Sequence, residues 1–339
     1  LFGSGETSAS GRKVYDWLFR QLPSPPRMAI LETPAGFQPN SAAVAEEVAD
    51  FIRLRLQNFA PQVTVIPARR RDTPFSPDDP TIVAPLFTAD AMFLGPGSPT
   101  YAVRQLQDSL AWHMVVARHR LGAALILSSA ATIAASAWAL PVYEIYKVGA
   151  DLHWTPGLDL LGAYGLSVAL LPHWDNAEGG ASLDTSRCFM GRARFEALER
   201  LLATDTTVIG IDEHTALILD LAAGSGQVVG RGGVTCRSGG RESYYPAGQR
   251  IALADWCDYR PPAADAGIPP DVWQQALAAA ARPETAPEPP AEVLRLVEER
   301  RLARQRRDWA EADRLRAAVQ ALGWQVEDTP EGARLRPNE

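Results

Sequence analysis

The stretch Ala124-Leu125-Ile126-Leu127-Ser128-Ser129-Ala130-Ala131-Thr132-Ile133 decides the fold. An apolar run typical of a fully buried strand stops at two serines, and small residues compatible with a helix follow. This pattern predicts a strand that turns sharply into a helix. A serine on such a corner is lifted out of the sheet, and the N–H groups at the start of the helix can stabilise an oxyanion. Ser129 is therefore a candidate nucleophile.

The same two serines have a simpler interpretation. Ser128 and Ser129 could cap the helix that follows a buried strand, because serine side chains accept hydrogen bonds from the first free N–H groups of a helix. The corner alone leaves both interpretations open.

On both sides of this stretch, apolar runs bounded by turn residues alternate with segments of helical period. This alternation predicts an α/β fold with a doubly wound, mostly parallel sheet. Further on, the Gly224-Ser225 turn predicts a β-hairpin with strands over 208–220 and 226–235. The other predicted strands are 1–2, 28–32, 63–67, 91–94 and 166–171. Since the chain starts in apolar residues without methionine, we expect a few residues of the first strand to precede Leu1.

Size and composition limit the class of protein. A chain of 339 residues can form one large domain with an appended module, and a formal net charge of −7 argues against a surface that generally coats nucleic acid. The three cysteines form no CxxC pair, which predicts neither a disulfide framework nor a zinc site and favours a reducing cytoplasm. Neither an export signal nor a membrane span is predicted, and no motif indicates a cofactor or a metal.

Composition also divides the chain. Residues 1–258 carry the α/β pattern, and residues 259–290 are rich in proline, alanine and acidic residues, which is typical of a linker. A short helix is predicted within this linker at 271–281. Apolar residues at helical spacing then predict a helical hairpin within residues 291–339, with a break near Arg307-Asp308.

Polar and glycine-rich segments follow three of the predicted strands. Gly95-Pro96-Gly97-Ser98 ends the strand at 91–94, Ser129 follows the next strand, and His173 follows the strand at 166–171. Ligands bind outside the carboxyl ends of strands in open α/β sheets, so these segments are expected to share one cleft. The histidine is the best placed of five as a general base, although it could also bond to a backbone carbonyl. The polar loop after it could bind the charged ends of a substrate or be solvated.

Several motifs in order resemble the serine peptidase family of dipeptidase E and cyanophycinase. They are Gly95-Pro96-Gly97-Ser98, Ser129-Ala130-Ala131, Pro172-His173-Trp174 and Gly210-Ile211-Asp212-Glu213-His214-Thr215-Ala216-Leu217, and the resemblance covers about residues 1–258. It implies a class I glutamine-amidotransferase-like fold, a Ser/His/acid triad and a glycine-rich oxyanion loop. It also implies cleavage of unusual aspartyl or β-aspartyl-arginine peptide bonds. We expect no cofactor.

Residue by residue, the resemblance makes Ser129 the nucleophile, His173 the general base, and the N–H groups of Gly97 and Ala130 the oxyanion donors. The acid of the triad is Glu144, with Glu213 as the alternative. The side chains that we expect to bind substrate are Ser98, Asp175, Asn176, Glu178 and Arg187.

The corner departs from the family pattern Gly-x-Ser-Ala-Gly at both glycines. Leu127 and Ala131 stand in their places. A Cβ atom at residue 127 is expected to crowd the turn and to alter the exposure of Ser129.

The C-terminal tail resembles the end of bacterial cysteinyl-tRNA synthetases, a region that meets the anticodon end of tRNA. The matching segments are 297–304, 308–316, Leu322-Gly323 and 326–332. Phosphate contacts could come from Arg300, Arg301, Arg304, Arg306 and Arg307, but interleaved acidic residues could pair with these arginines instead. The tail therefore has RNA or a protein as possible partners, and intramolecular docking is the third alternative.

Two functions follow from these patterns. The first is a serine hydrolase that acts on a peptide or amide bond. The alternative is a non-catalytic α/β module that binds a small ligand in its cleft and RNA or a protein through its tail. The sequence predicts no oligomeric state.

Overall fold

Four parallel strands lie at the centre of the computed structural model, which describes residues 1–281, 289–306, 308–329 and 332–337. Their order in the sheet is β2-β1-β3-β4, and the register aligns Leu31 with Leu94 and Leu94 with Leu127. The carboxyl ends of β1, β3 and β4 therefore lie side by side. The strands are β1 (Arg27–Leu31), β2 (Gln62–Ile66), β3 (Ala91–Leu94) and β4 (Ala124–Leu127).

Helices cover both faces of this sheet because its strands carry apolar side chains on both faces. Phe93 of β3 belongs to one buried cluster with Tyr15 and Ile52, whereas the neighbouring Met92 belongs to another cluster with Trp112. This arrangement confirms the predicted doubly wound α/β fold. The first seven helices are α1 (Ala9–Phe19), α2 (Ser41–Arg55), α3 (Pro80–Val83), α4 (Pro99–Leu106), α5 (Leu110–Arg120), α6 (Ala130–Ala134) and α7 (Gly191–Glu199).

The first residues of the chain join the central sheet to a second set of strands. Phe2 pairs in parallel with Ser128 and in antiparallel with Ala216, and its N–H donates to the carbonyl of Leu127 at 2.8 Å. The antiparallel partner lies in a sheet of order β13-β10-β9, and another sheet has the order β12-β11-β8-β7. A short pair, β5 with β6, completes this part of the fold. These strands are β5 (Trp138–Ala139), β6 (Thr155–Pro156), β7 (Val168–Leu171), β8 (Thr207–Ile211), β9 (Thr215–Asp220), β10 (Ser225–Gly230), β11 (Gly233–Ser238), β12 (Arg241–Pro246) and β13 (Arg250–Ala252).

The hairpin predicted over 208–235 is more divided than expected. Residues 212–214 interrupt the first predicted strand, so that β8 and β9 belong to different sheets. The second predicted strand is also interrupted, because β10 ends at Gly230 and β11 begins at Gly233 in the other sheet. His214 lies in this break with φ of +54°, a backbone conformation that ends a strand. The break places residue 213 in a loop at the carboxyl end of β8.

Part of the predicted linker packs as a helix on the α/β unit. The helix is α8 (Pro270–Ala280), and its Val272 and Ala276 are buried in the same cluster as Trp112 of α5. The chain accordingly divides into two compact units, Leu1–Ala280 and Ala281–Glu339, and this boundary lies later than the one expected at residue 258. The apolar stripe of α8 explains the difference. Residues 282–288 of the predicted linker lie outside the described residues.

The second unit contains a helical hairpin followed by a β-hairpin. Its core includes Val293, Leu315, Val319 and Trp324. Arg307, Pro330 and Glu331 lie outside the described residues. The elements are α9 (Ala291–Gln305), α10 (Trp309–Ala321), β14 (Trp324–Thr329) and β15 (Gly332–Pro337).

In the described ranges, none of the helices combines the length and the apolar character that a membrane span requires.

Candidate active site

Ser129 occupies the turn between β4 and α6 in an unusual backbone conformation. Its φ is +51° and its ψ is −114°, which glycine adopts readily and other residues adopt at a cost. The expected crowding by Leu127 does not arise, because this residue remains in β4 and its side chain is buried in the core. Ala131 is also buried at the start of α6. The corner thus forms without either glycine of the family pattern.

The side chain of Ser129 meets His173. Its Oγ lies 3.0 Å from Nε2 of the imidazole. The histidine follows β7, and its backbone N–H donates to the carbonyl of Gly3 at 3.2 Å. Gly3 follows Phe2, the residue that pairs with Ser128, so the first residues of the chain hold the two sides of the site together.

The other ring nitrogen of His173 contacts Glu213. Nδ1 lies 3.0 Å from Oε1 of the carboxylate. The hydrogen bond with this histidine, aided by one from Asn176, holds the pKa of Glu213 below its ordinary value, so the carboxylate is ionised at neutral pH. An ionised carboxylate only accepts hydrogen bonds, so Nδ1 carries the proton and Nε2 of the neutral ring can accept the proton of Ser129.

Two neighbouring side chains fix Glu213. Nδ2 of Asn176 donates to Oε1 of the same carboxylate at 2.9 Å, and Oδ1 of Asp175 accepts the N–H of Glu213 at 2.6 Å. Both residues are among those that the sequence predicts to bind substrate. In the structure they link the loop after His173 to the loop that carries Glu213.

Glu144 lies apart from the histidine. Its Oε1 accepts a hydrogen bond of 2.6 Å from the hydroxyl of Thr100, whereas His173 pairs with Glu213. The structure therefore places Glu213, the alternative, and not the favoured Glu144 as the hydrogen-bond partner of His173. The physical reason is topological, because β8 is the parallel neighbour of β7 and brings residue 213 beside residue 173.

Two backbone N–H groups are available at this end of the sheet. Leu94 and Leu127 are aligned at the ends of the adjacent strands β3 and β4. Gly97 lies three positions after Leu94, and Ala130 lies three positions after Leu127. Among the described residues, neither N–H group donates a hydrogen bond to another group. Gly97 has φ of +152°, and a Cβ atom there would lie 1.9 Å from the carbonyl oxygen of Pro34. The loop therefore requires glycine at this position.

The remaining predicted substrate-binding residues differ in what they contact. Ser98 caps α4 by accepting the N–H of Tyr101 at 3.2 Å, and the guanidinium of Arg187 lies 4.0 Å from the centre of the Trp174 ring. Burial lowers the pKa of this guanidinium. The exposed carboxylate of Glu178 has no partner within the part of the chain that the structure describes.

Phe189 is a member of the site that sequence reasoning missed. Its ring centre lies 5.6 Å from that of His173. Arg187, Cys188 and Phe189 form a turn in which all three residues have a left-handed backbone conformation. The backbone N–H of Cys188 donates to the carbonyl of His173 at 3.1 Å. Nothing in the local sequence indicates this turn, because none of the three residues is glycine. In the described ranges, no cluster of three or more histidine, cysteine or acidic side chains could hold a metal ion.

The fold is a doubly wound α/β fold, and its candidate site joins serine, histidine and glutamate by hydrogen bonds at the carboxyl ends of strands. No family model matches the chain. A crystal structure of a peptidase from an acI-B1 actinobacterium is similar over 74% of this chain and 94% of that chain, with a TM-score of 0.59. The two sequences are 21% identical over this match, so the likeness shows the fold.

The C-terminal segment matches curated proteins of another kind. It is 59% identical over 46 residues to cysteine–tRNA ligase 1 of Burkholderia lata, which is 14% of this chain and 10% of that protein. A second match, to cysteine–tRNA ligase of Methanosarcina mazei, is 46% identical over 52 residues and covers 15% of this chain and 11% of that protein. The chain thus spans about a tenth of the length of these relatives. The predicted resemblance of the tail is confirmed.

Proposed function

We propose that the protein is a serine hydrolase that cleaves a peptide or amide bond. The observation that carries this proposal is the continuous chain of hydrogen bonds from Ser129 through His173 to Glu213, 3.0 Å at each step. A serine hydroxyl is a weak nucleophile by itself, and a base held in the correct tautomer by a carboxylate is what activates it.

The reaction follows from these contacts. Oγ of Ser129 attacks the carbonyl carbon of the substrate while its proton passes to Nε2 of His173. The carboxylate of Glu213 stabilises the imidazolium that forms, and the N–H groups of Gly97 and Ala130 would stabilise the oxyanion. The imidazolium then protonates the leaving amine. Water, activated by the neutral histidine, hydrolyses the acyl-enzyme and restores the serine.

The backbone of Ser129 supports a catalytic interpretation over a simple cap. A helix cap accepts hydrogen bonds from N–H groups with its side-chain oxygen, yet Ser129 makes no such bond to α6. Its hydroxyl contacts the histidine instead. A strained conformation that serves this contact is typical of a functional residue.

A fluorophosphonate probe tests the proposal, because it reacts covalently with an activated serine. We expect the wild-type protein to be labelled at Ser129 and the Ser129→Ala variant to lose the label. The matched control is Ser128→Ala, since Ser128 is the adjacent serine and its buried hydroxyl has no hydrogen-bond partner among the described residues. An unlabelled wild-type protein, or labelling that survives Ser129→Ala, would contradict the assignment. Hydrolysis of a peptide and amide panel, also lost in Ser129→Ala, then defines the bond type.

The cysteines favour a cytoplasmic location in this proposal. Cys188, Cys236 and Cys257 are all free thiols, and unpaired cysteines suit a reducing compartment.

For the C-terminal unit we propose docking to a protein rather than to RNA. Three arginines of α9 and α10 form ion pairs with glutamates one helical turn away, which reduces the positive charge available to phosphates. The pairs are Arg295 with Glu299, Arg301 with Glu298, and Arg314 with Glu311. A salt-sensitive RNA shift that disappears when residues 291–339 are removed would contradict this proposal and favour RNA.

A further inference from the structure

The backbone of His173 is strained, like that of Ser129. Its φ is +54°, a left-handed conformation that a residue with a Cβ atom adopts at a cost. Such a conformation persists only where the surrounding contacts enforce it. Two N–H groups hold the carbonyl of His173, that of Asn176 at 3.2 Å and that of Cys188 at 3.1 Å. The turn that contains residue 188 is thus one support of the conformation in which the imidazole meets Ser129.

This turn follows the histidine segment closely. While the N–H of Cys188 donates to the carbonyl of His173, the N–H of Arg187 donates to the carbonyl of Trp174 at 2.8 Å. The last residue of the turn, Phe189, then places its phenyl ring against the imidazole, with the ring centres 5.6 Å apart and the ring planes inclined by 51°. The turn therefore contacts both the backbone and the side chain of the candidate general base.

The phenyl ring of Phe189 suits a role in holding the imidazole. It contacts a second ring, that of Tyr146, whose centre also lies 5.6 Å away, and this contact restricts its own movement. Both nitrogens of the imidazole already have partners, Ser129 and Glu213. A phenyl ring has no hydrogen-bonding group that could compete for either nitrogen. It can therefore limit rotation of the imidazole and exclude water beside it without disturbing these two bonds.

We propose that Phe189 is a positioning residue for the general base: its ring keeps the imidazole of His173 in the orientation that bonds Ser129 and Glu213 at the same time. This inference rests on the proposed hydrolase function and adds the device that aligns the site before a substrate binds. A misplacement of about 1 Å in a reacting group can lower a rate roughly a hundredfold. A side chain that makes no hydrogen bond in the site can therefore affect its rate strongly.

Fluorophosphonate labelling of the full chain tests this role with two variants. Phe189→Leu removes the ring but keeps an apolar side chain, and Phe189→Ala leaves the space empty. We expect the second-order rate constant for labelling to fall by roughly tenfold in Phe189→Leu and by roughly a hundredfold in Phe189→Ala. Urea denaturation shows which variants are folded, and Phe189→Leu decides alone if Phe189→Ala does not fold.

Phe195→Leu is the matched control. Phe195 is buried in the cluster against which Phe189 packs, and its ring meets that of Trp174 edge to face with centres 5.0 Å apart. The control should lose stability but label at the wild-type rate. An unchanged rate in the Phe189 variants, or a fall that Phe195→Leu reproduces, would overturn the inference.

Proton NMR reads the position of the histidine without any reaction. The Nδ1 proton of an imidazole that donates to a carboxylate gives a strongly downfield signal when its exchange with water is slow, and His173→Ala assigns this signal. We expect it in the wild-type protein and in Phe195→Leu. In Phe189→Leu it should broaden or disappear, because water reaches the bond between His173 and Glu213. A purely structural role of Phe189 would leave the signal unchanged in the folded variant.

The outcomes separate the two proposals. A wild-type protein that is not labelled contradicts the hydrolase function, whereas loss of the Nδ1 signal in Phe189→Leu but not in Phe195→Leu supports the positioning role independently. Labelling of the wild-type protein at Ser129, together with an unchanged rate and an unchanged signal in Phe189→Leu, would overturn only the role of Phe189.

Discussion

A hydrogen bond of 3.0 Å joins Nδ1 of His173 to Oε1 of Glu213, although the two residues lie 40 positions apart in the chain. They meet because each follows one of two parallel neighbours, β7 and β8, whose register aligns Leu171 with Gly210. Gly210 leaves room for the Trp174 ring beside β8, because a Cβ atom at this position would lie 2.2 Å from that ring. Sheet register and one glycine therefore place the acid beside the base.

The first prediction concerns the acid. Glu213→Gln should lower kcat by roughly three to four orders of magnitude, because an amide can donate to Nδ1 and stabilise the wrong tautomer of His173. The rate constant for reaction with a fluorophosphonate should fall in parallel. Glu47→Gln, at an exposed position of α2, is the matched control and should leave both rates unchanged. A Glu213→Gln variant with near wild-type rates would show that the histidine does not depend on this carboxylate.

The second prediction concerns pH and stability. The hydrogen bond with His173, then that with Asn176, lowers the pKa of Glu213 below its ordinary value of 4.5. A carboxyl group with a depressed folded-state pKa stabilises the fold above its unfolded-state pKa, and this contribution is lost as pH falls through the folded-state value. The difference in free energy of unfolding between wild type and Glu213→Gln should therefore be largest near neutral pH and shrink below pH 4.5. Urea denaturation at a series of pH values measures it, and a constant difference would contradict the cause assigned here.

The sequence predicts the parallel sheet, the Ser129 corner and the position of His173, because each depends on local apolar runs and the turns that end them. It does not predict which acid completes the site. Glu144 and Glu213 both follow apolar segments, and the choice depends on the pairing of β7 with β8, which is set by tertiary structure. The break at residues 212–214 escapes prediction for the same reason, since apolar residues on both sides of it resemble one long strand.

The third prediction tests the oxyanion loop. Gly97→Ala should reduce kcat by roughly a hundredfold or more, as when an oxyanion donor is lost, because the new Cβ would force the loop away from Pro34. Gly122→Ala is the control, since Gly122 also has a positive φ, of +99°, but its Cβ would meet no atom within 4 Å. Both variants should lose some stability from backbone strain. Only Gly97→Ala should also lose fluorophosphonate reactivity, and equal reactivity in the two variants would contradict a role for the Gly97 loop.

The fourth prediction measures the strain at Ser129. Both Ser129→Ala and Ser129→Gly remove the hydroxyl and should be inactive, but glycine adopts φ of +51° and ψ of −114° without the cost that a Cβ atom imposes. Ser129→Gly should therefore be more stable than Ser129→Ala by about 1 kcal/mol in urea denaturation, even though glycine normally destabilises a folded chain relative to alanine. The neighbouring position supplies the control. Ser128 is paired with Phe2 and has no positive φ, so Ser128→Gly should be less stable than Ser128→Ala. If Ser129→Ala were more stable than Ser129→Gly, as alanine is expected to be at residue 128, the Ser129 corner would store no strain.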